Sequence, residues 1–377
     1  MKEIADKVSE KNKNNEFSEP FTNSAEQGII SQKDYFDREI VNNENLDGYY
    51  IVRNDDFIYN PRISATAPVG PINRNRLGRN GVMSPLYTVF RTHDIDNLYL
   101  EFYFKTTKWH RFMKLNGDSG ARFDRFTISS TQFMEMPIPY PTLEEQQKIG
   151  KYFDSLDHLI TLHQRKREEM KTLKKYMLQK MFPQNEQKVP EIRFEGFTEA
   201  WEQRKLGDVF EQTSNLVNPK EDEIELWSLT VEDGLTKKSD RYNREFLVKK
   251  DDNFKEVRPG DIVYNPMNMT LGAVGYNGMA KSVAVSGYYT TMVAKENYDT
   301  YYINTWLKSP QAIRLYRTYA TGSLIEKQRV QFPTLSIIPV TFPKYEEQIK
   351  IGSYFHSIDN LITLHQRQHK LHLNMLL

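Results

Sequence analysis

The chain of 377 residues contains no cysteine. This absence excludes disulfide bonds, thiol nucleophiles and zinc sites built from cysteine ligands. No apolar run approaches the length that a membrane helix needs, and the N-terminal stretch MKEIADKVSEKNKNNEF lacks the apolar core of a signal peptide. We therefore expect a soluble cytoplasmic protein.

The chain also lacks an excess of either charge, with 51 basic against 50 acidic residues. Nucleic-acid-binding proteins usually carry a basic surplus, so any contact with DNA must come from local patches. Segment 61–91 is one such patch, because it holds five arginines and no acidic residue: Arg62, Arg74, Arg76, Arg79 and Arg91. Its glycines and prolines indicate a loop rather than a helix. A solvated basic loop without a ligand is the alternative interpretation.

Catalytic motifs are absent as well. There is no G-x-x-x-x-G-K-[ST] loop and no G-x-G fingerprint after a strand. The Asn-Pro steps at Asn60 and Asn265 lack the second proline and the aromatic residue of an amino-methyltransferase loop. His369 and His372 have no third ligand in view, so we expect no metal site. These absences predict a chain without catalytic residues of its own.

A long segment of the sequence occurs twice. Residues 144–165 read EEQQKIGKYFDSLDHLITLHQR, and residues 346–367 read EEQIKIGSYFHSIDNLITLHQR, at a constant offset of 202 without a gap. A match of this length at one spacing indicates an internal duplication. Apolar residues at a 4-3-4-3 spacing predict a long helix in each copy, and Pro141 and Pro343 suit helix entry. The predicted seams are Ile149, Phe153, Leu156, Ile160 and His163 in the first copy, and Ile351, Phe355, Ile358, Ile362 and His365 in the second.

We predict that these helices pack on each other and hold two similar units apart. The two seam histidines are then packed interface residues rather than metal ligands. The expected order is a first domain at 1–142, a helix at 143–182 of about 60 Å, a linker at 183–190, a second domain at 191–344 and a C-terminal helix at 345–377. Within the first domain the pattern predicts a strand at 49–61, a strand at 83–91 and a helix at 97–115.

The two domains share landmarks but differ in their loops. Val52–Pro61 matches Val257–Pro266, and Asp124 and Arg125 match Glu326 and Lys327. Between the landmarks, RISATAPVGPINRNRLGRNG in one domain stands against MNMTLGAVGYNGMAK in the other. One scaffold with two unlike loop sets suits a molecule that recognises two different things.

The loop residues predict contact with DNA, since arginine and lysine bind phosphates and arginine, asparagine and glutamine can read base edges. Arg125 and Lys327 are the best candidates for a shared phosphate contact. Surface ion pairs with Asp124 and Glu326 are the alternative. The first domain offers Arg62, Arg74, Asn75, Arg76, Arg79, Arg122 and Arg125, and the second offers Asn265, Asn268, Asn277, Lys281, Tyr288, Lys327, Gln328 and Arg329.

Three sets of motifs resemble the specificity (S) subunit of type I restriction–modification systems. They are VPEIRFEGFTEAWEQRKLG at 189–207, VRPGDIVYN at 257–265 and the doubled E-Q-x-x-I-G…L-H-Q-R block. The resemblance covers nearly the whole chain. It implies an α+β fold with two similar α/β target-recognition domains, joined and spaced by two long antiparallel helices. Each domain would read one half of a bipartite DNA site, with the helices setting the gap, and the unlike loops predict an asymmetric site.

The resemblance also implies partners and cofactors. The chain itself would be non-catalytic and would bind double-stranded DNA, two modification (methyltransferase) subunits and two restriction subunits. S-adenosylmethionine, ATP and Mg would belong to those partner subunits, and none would bind in this chain. The target adenine must leave the base stack for methylation, so base flipping belongs to the complex.

Two departures from the family pattern concern the ends of the chain. The first domain has no counterpart of segment 189–207, and the second helix stops opposite Lys175. If the missing segment packs beside the helices, we expect subunit docking or stability to suffer. Two other functions stay open: a stand-alone two-headed DNA-binding repressor, and a scaffold whose domains bind proteins. Binding that weakens steeply with salt would count against the scaffold.

Overall fold

The computed structural model describes residues 1–35, 46–118, 124–184, 187–237, 253–322 and 328–376. The chain divides into two compact units, Met1–Ile160 with His372–Leu377 and Thr161–Leu371. The division falls inside the first long helix rather than at the end of the first domain. The physical reason is that the two ends of this helix pack in different units: Leu156 is 5% exposed in the first, and Met181 joins the core of the second.

The first unit contains eight described strands. They are β1 (Ala5–Lys7), β2 (Pro20–Ser24), β3 (Gly28–Ser31), β4 (Tyr50–Val52), β5 (Phe57–Tyr59), β6 (Ile72–Arg74), β7 (Gly81–Met83) and β8 (Thr88–Thr92). Its helices are α1 (Gln32–Tyr35), α2 (Asn97–Lys105), α3 (His110–Asn116), α4 (Ser130–Met134) and the first part of α5 (Leu143–Lys180), with a short 3-10 helix at Lys13–Asn15.

The second unit follows the same plan but has different loops. Its strands are β9 (Glu202–Lys205), β10 (Phe210–Thr213), β11 (Leu216–Val217), β12 (Trp227–Thr230), β13 (Gly234–Lys237), β14 (Phe254–Val257), β15 (Ile262–Tyr264), β16 (Val274–Tyr276), β17 (Val283–Ser286), β18 (Thr290–Ala294) and β19 (Pro339–Phe342). Its helices are α6 (Leu206–Val209), α7 (Thr300–Leu307), α8 (Pro310–Tyr319), α9 (Phe332–Ser336) and α10 (Tyr345–Leu376), with a 3-10 helix at Met269–Leu271.

Each domain contains an antiparallel four-stranded sheet, and the two sheets have the same strand order. The order is β1-β8-β5-β6 in the first domain and β10-β18-β15-β16 in the second. The register is also the same, because Phe57 faces Phe90 where Ile262 faces Met292. These pairs are buried and β-branched or aromatic residues fill the strands, as expected for a sheet covered on its core side. The predicted duplication and the α+β fold class with its two long helices are confirmed.

The second sheet also has the same plan in both domains. In the first domain it runs β3-β2-β7-β4, with β2 and β7 parallel. In the second domain β14 and β17 correspond to β4 and β7, and the hairpin β12–β13 has the register of β2–β3, with Trp227 opposite Lys237 as Phe21 is opposite Ser31. A parallel bridge between Leu226 and Ala284 joins this hairpin to β17, as β2 pairs with β7. The copies differ in the loop between β15 and β16, which is shorter than the loop between β5 and β6, and in the side chains that the common frame carries.

Several predicted elements of the first domain had wrong bounds. The single helix expected at 97–115 is two helices, because the Thr106 N–H and hydroxyl both donate to the Tyr103 carbonyl, at 3.0 and 2.7 Å, and the chain turns extended there. The strands expected at 49–61 and 83–91 are each interrupted by a tight turn. The segment 61–91 is not only loop, since it contains β6 and β7. Local propensity did not reveal these strands, because their pairing partners lie far away in the sequence.

A buried polar joint fixes the long helix to the first domain. Gln146 is fully buried near the start of α5; its Oε1 accepts from the Asp96 N–H at 2.9 Å, and its Nε2 donates to the Pro141 carbonyl at 2.8 Å. Asp96 caps α2, accepting from the Tyr99 N–H at 2.8 Å. Gly150 lies against this cap, where a Cβ would meet the Tyr99 nitrogen at 3.0 Å. The E-E-Q-x-x-x-G part of the repeat therefore encodes a helix-docking joint.

The second domain repeats this joint with the same atoms. Gln348 Oε1 accepts from the Asp299 N–H at 3.0 Å, and its Nε2 donates to the Pro343 carbonyl at 2.9 Å. Asp299 caps α7 through the Tyr302 N–H at 2.7 Å. At Gly352 the approach is closer, because a Cβ would meet Asp299 Oδ1 at 2.3 Å. The repeated glutamine and glycine are thus structural residues.

The second half of α5 packs against α10 within the second unit. His163 Nδ1 lies 3.1 Å from His365 Nδ1, and Lys174 donates to Asp359 Oδ1 at 2.6 Å. Positions rise along one helix as they fall along the other, so the helices are antiparallel here. The two histidines occupy equivalent places in the repeat, so copies of one residue meet in this contact.

No helix in the described ranges is long and apolar enough to cross a membrane.

The joint makes a prediction about Gly352. We expect Gly352→Ala to lower the free energy of unfolding of the second unit by about 1–2 kcal/mol, because overpacking against the Asp299 cap outweighs the gain in helix propensity. Denaturant unfolding followed by hydrogen exchange of second-unit amides measures it. Ser353→Ala is the control, because Ser353 is exposed on the same helix. Equal stability of the two variants would contradict the joint.

Candidate nucleic-acid interface

The structure brings two predicted DNA-binding arginines of the first domain together. Arg62 and Arg125 face each other across an isolated antiparallel bridge. The Ile63 N–H donates to the Asp124 carbonyl at 3.1 Å, and the Phe126 N–H donates to the Pro61 carbonyl at 2.8 Å. These bonds flank the arginine pair, which is therefore the non-hydrogen-bonded type with Cα atoms about 4.5 Å apart. Both side chains leave the same face of the bridge.

The charge on this face is only partly compensated within the described residues. Arg62 is exposed, and its guanidinium makes no ion pair there. The Arg125 side chain is 33% exposed and forms a long ion pair with Asp124, whose Oδ2 lies 3.8 Å from Arg125 Nε, but this Nε has no hydrogen-bond partner. Two like charges directly opposite each other repel, and an anion bound between them would relieve that repulsion. A backbone phosphate is such an anion, so this pair is the best-formed candidate contact.

The other arginines of segment 61–91 are held by acidic residues from elsewhere in the first unit. Arg74 Nε and Arg76 Nε both donate to Glu101 Oε2 at 2.8 Å. Arg74 also pairs with Asp55 at 3.2 Å, and Arg76 with Asp154 at 3.2 Å. Although segment 61–91 contains no acidic residue, the fold therefore brings carboxylates from other segments to the charges of these arginines.

Arg79 and Arg91 form bidentate pairs of the same kind. Arg79 binds both carboxylate oxygens of Glu19 at 2.7 Å, and its hydrogen bond lowers the pKa of Glu19. Arg91 binds the buried Asp56 at 2.8 and 2.9 Å. To bind a phosphate, Arg74, Arg76 or Arg79 would have to release the carboxylate that it now pairs with. Their DNA contacts stay predictions.

Asn75 has a different role from the one predicted. Its side chain is fully buried; Nδ2 donates to the Arg53 and Arg79 carbonyls at 3.0 Å, and Oδ1 accepts from the Leu77 N–H at 3.1 Å. The amide is fully used in holding a turn, so it could reach a base only if this turn opened.

The equivalent Asn277 of the second domain holds the matching turn. It is also fully buried, donates to the Val257 and Lys281 carbonyls at 2.8 and 3.0 Å, and accepts from the Met279 N–H at 3.1 Å. The sequence held a signal for this role, because the same asparagine occurs in both domains among loops that are otherwise unlike, which indicates a structural residue.

The second-domain candidates divide into structural and exposed residues. Asn265 Oδ1 accepts from the Met267 N–H at 3.0 Å, as Asn60 does from Arg62, so it shapes the loop that it begins. Lys281 pairs with Glu225 at 3.1 Å, and this hydrogen bond, together with those of Trp227 and Lys237, lowers the pKa of Glu225 to about 2. The candidates with exposed side chains are Asn268, Lys281, Tyr288 and Arg329, and among the described residues an ion pair holds only Lys281.

Two predicted contacts, Arg122 and Lys327, lie outside the described residues, so the proposed pairing of Arg125 with Lys327 as equivalent phosphate contacts stays a prediction. In the second domain the described neighbour is the Thr321–Arg329 bridge, whose backbone bonds are 3.0 and 2.9 Å. It corresponds to the Asp118–Thr127 bridge of the first domain. The same hairpin-like frame thus carries different side chains in the two domains.

The residues predicted to pack along the helices lie at buried or half-buried positions of α5 and α10. The fully or nearly fully buried ones are Leu156, Ile351, Phe355 and Ile358, and the half-buried ones are Ile149, Phe153, Ile160, His163, Ile362 and His365. Phe153 contacts Phe102 of α2, with ring centroids 5.4 Å apart. Within the described part of the chain, no group of three or more metal-ligating side chains is close enough to hold a metal ion.

One solved structure has the same fold as this chain, and two others align with it at lower TM-scores. The S subunit of a type I restriction–modification system from M. genitalium aligns with all of this chain and 92% of its own, at 12% identity and a TM-score of 0.59, which shows a common fold. The HsdS subunit from Thermoanaerobacter tengcongensis aligns over 87% of this chain and 80% of its own, at 15% identity and a TM-score of 0.43. A chain from a study of assembly and conformational transition of the type I R-M system aligns over 89% and 83%, at 14% identity and a TM-score of 0.43.

A family model, the type I restriction modification DNA specificity domain, matches residues 2–172 and again residues 198–374. The two matches cover most of the chain and coincide with the two copies of the shared sheet and its long helix. The chain therefore belongs to the type I restriction–modification DNA specificity family, with two specificity domains in tandem.

Proposed function

We propose that this chain is the subunit that reads an asymmetric bipartite DNA sequence for a type I restriction–modification complex. One observation supports this most strongly: the two domains have the same two sheets in the same order and register, yet carry loops of different length and unlike side chains on that frame. Two copies of one frame with different recognition loops would read two different half-sites.

The exposed loop side chains give the proposal its chemistry. In the first domain Arg62 and Arg125, whose only ion pair is the long one between Arg125 and Asp124, would bind a phosphate and so fix the domain on the duplex. In the second domain Asn268 and Arg329 can hydrogen-bond to base edges or phosphates, and Tyr288, which is 65% exposed, can pack against the sugar–phosphate backbone. The arginines held in ion pairs would stabilise the loops that present these groups.

Catalysis would reside in partner subunits. The chain would recruit two modification subunits, which methylate adenine using S-adenosylmethionine, and two restriction subunits, which use ATP and Mg. Its own contribution would be binding energy and position. This chain would determine which DNA sequence is recognised, and the partner subunits would carry out the reactions.

The first test is a map of methylation. The chain is co-expressed with a cognate modification subunit in a host without other adenine methylation, and N6-methyladenine is located by single-molecule sequencing. We expect one new motif with two different halves and a fixed gap. A host expressing the modification subunit alone is the control. Methylation at an ungapped or symmetric motif would contradict reading by two unlike domains.

The second test concerns the arginine pair. We expect the double variant Arg62→Ala, Arg125→Ala to bind duplex DNA about tenfold or more weakly, and to reduce the slope of log affinity against log salt by about 1, because the pair would neutralise one phosphate. Binding is measured by fluorescence anisotropy at several salt concentrations, with the chain assembled on its modification subunit.

The matched control is Arg53→Ala. Arg53 lies in the turn between β4 and β5 and pairs with Glu10 at 3.1 Å, so the loss of this one charge away from the arginine pair should leave the salt slope unchanged. Equal slopes for the double variant and the original chain would mean that the pair does not touch phosphate.

A further inference from the structure

One short helix of each domain carries two cations that lie outside the candidate interface described above. They are Arg111 and Lys114 on α3, and Arg314 and Arg317 on α8. The pairs are equivalent, because each residue lies 203 positions from its counterpart, the offset that also separates the helix caps Asp96 and Asp299. Neither helix has an acidic neighbour in the sequence, since the stretches 102–117 and 300–325 contain no aspartate or glutamate.

Packing determines which side of each helix faces outwards. Trp109 and Met113 of α3 are 2% and 0% exposed in the core of the first unit, and Ala312 and Tyr316 of α8 are both 0% exposed in the core of the second. The four cations lie away from these buried positions, and all four are exposed. Residues three apart on a helix are neighbours, with Cβ atoms about 5–6 Å apart. Each helix therefore presents two adjacent positive charges, which we call its cationic face.

The fold does not neutralise these charges, in contrast to most arginines of segment 61–91. None of the four cations forms an ion pair within the described part of the chain, and Arg314 Nη2 donates only to the neutral Gln184 Oε1, at 2.9 Å. Burial lowers the pKa of His110, and the nearby Lys114 ammonium lowers it further. Two adjacent like charges repel each other, so a bound anion would stabilise each face.

The helix macrodipole does not account for the pattern. A cation in the last turn stabilises its own helix, and Lys114 and Arg317 both lie in a last turn. Arg111 is the second residue of α3, near the end where a cation is unfavourable, and Arg314 lies in the middle of α8. The macrodipole therefore explains one cation of each pair and leaves the other without a role.

Each cationic face is adjacent to the candidate nucleic-acid interface. The chain leaves α3 and pairs Asp118 with Thr127, two residues after Arg125, through backbone bonds of 2.9 and 2.6 Å. It leaves α8 and pairs Thr321 with the exposed Arg329, through bonds of 3.0 and 2.9 Å. In both domains the cationic face is thus joined to the hairpin-like frame that carries a candidate DNA contact.

We propose that the two cationic faces bind the DNA backbone beside the two half-sites. Each of the four cations contacts one phosphate: Arg111 and Lys114 in the first domain, and Arg314 and Arg317 in the second. The contact is independent of base sequence, because the same charges recur at the same positions on domains whose loops are unlike, and phosphates are common to any two half-sites.

The inference rests on the proposed function, because it requires that this chain bind DNA. It assigns a different task to the helices, which hold each domain on the duplex while the loops read bases. An acidic surface of a partner subunit is the other anion that such faces could bind. The backbone connection to the frame that carries Arg125 and Arg329 favours DNA.

The test is the salt dependence of binding to two duplexes of unrelated sequence, one of them carrying the motif that methylation mapping finds. Binding is measured by fluorescence anisotropy with the chain assembled on its modification subunit. We expect Arg111→Gln with Lys114→Gln to weaken binding to both duplexes by a similar factor, about tenfold or more. The slope of log affinity against log salt should fall by about 2, because each phosphate contact contributes about 0.9. Arg314→Gln with Arg317→Gln should have the same effect.

Two controls separate charge from structure. Arg111→Lys with Lys114→Arg keeps both charges and should leave the slope unchanged. Lys151→Gln removes an exposed lysine of the first unit whose counterpart in the second is Ser353, and it should also leave the slope unchanged. Lys114→Gln, the same chemical change on the cationic face, should lower the slope by about 1.

Unchanged slopes for either glutamine double variant would overturn the proposal. So would a loss confined to the duplex with the motif, which would make these residues base readers. Failure of a variant with an unaltered circular dichroism spectrum to assemble on the modification subunit would assign the faces to a protein partner instead.

The methylation map of the original chain tests the proposed function separately. A gapped motif together with unchanged slopes would reject this inference alone. Lowered slopes without a gapped motif would support the backbone contacts and reject the proposed function.

Discussion

The structure depends on a buried joint between a helix cap and a glutamine. In each domain the N-capping aspartate of a short helix, Asp96 or Asp299, offers its own N–H to a fully or nearly fully buried glutamine, Gln146 or Gln348, at the start of a long helix. A glycine one turn on lets the two backbones approach closely. An unpaired buried amide would cost about 1–3 kcal/mol, so the joint tolerates one geometry only. It attaches each long helix rigidly to its domain without using any residue of the recognition loops.

This separation explains which parts of the duplicated sequence are alike. The joint, the four-stranded sheet and the buried turn asparagines Asn75 and Asn277 recur because they carry the frame. The outer hairpins β2–β3 and β12–β13 keep their register but carry unlike side chains, and the loops after β5 and β15 differ in length as well. The arginines divide in the same way. Those that stabilise loops pair with carboxylates, as Arg79 does with Glu19. Arg62 and Arg125 instead face each other with no hydrogen-bonded acid in the described structure.

The sequence predicted the parts that periodicity and repetition encode. The 4-3-4-3 seam predicted both long helices to within two residues of their N-terminal starts, and the repeat predicted a common frame. It did not predict the ion pairs, because Glu19 lies 60 residues from Arg79 and only the sheet brings them together. Nor could it distinguish Asn75, a buried turn residue, from a side chain that reads bases, since both uses need the same amide.

We propose that one frame reads two different half-sites through unlike loops and side chains. The most direct measurement is the methylation motif of a chimera in which residues 206–342 replace residues 1–140, joined at the equivalent positions Met1 and Leu206 and Tyr140 and Phe342. Co-expressed with the modification subunit of the original chain, this chimera is predicted to methylate a motif with two copies of one half-site, the half read by the second domain. A chimera that folds and still directs methylation to the original asymmetric motif would contradict the claim.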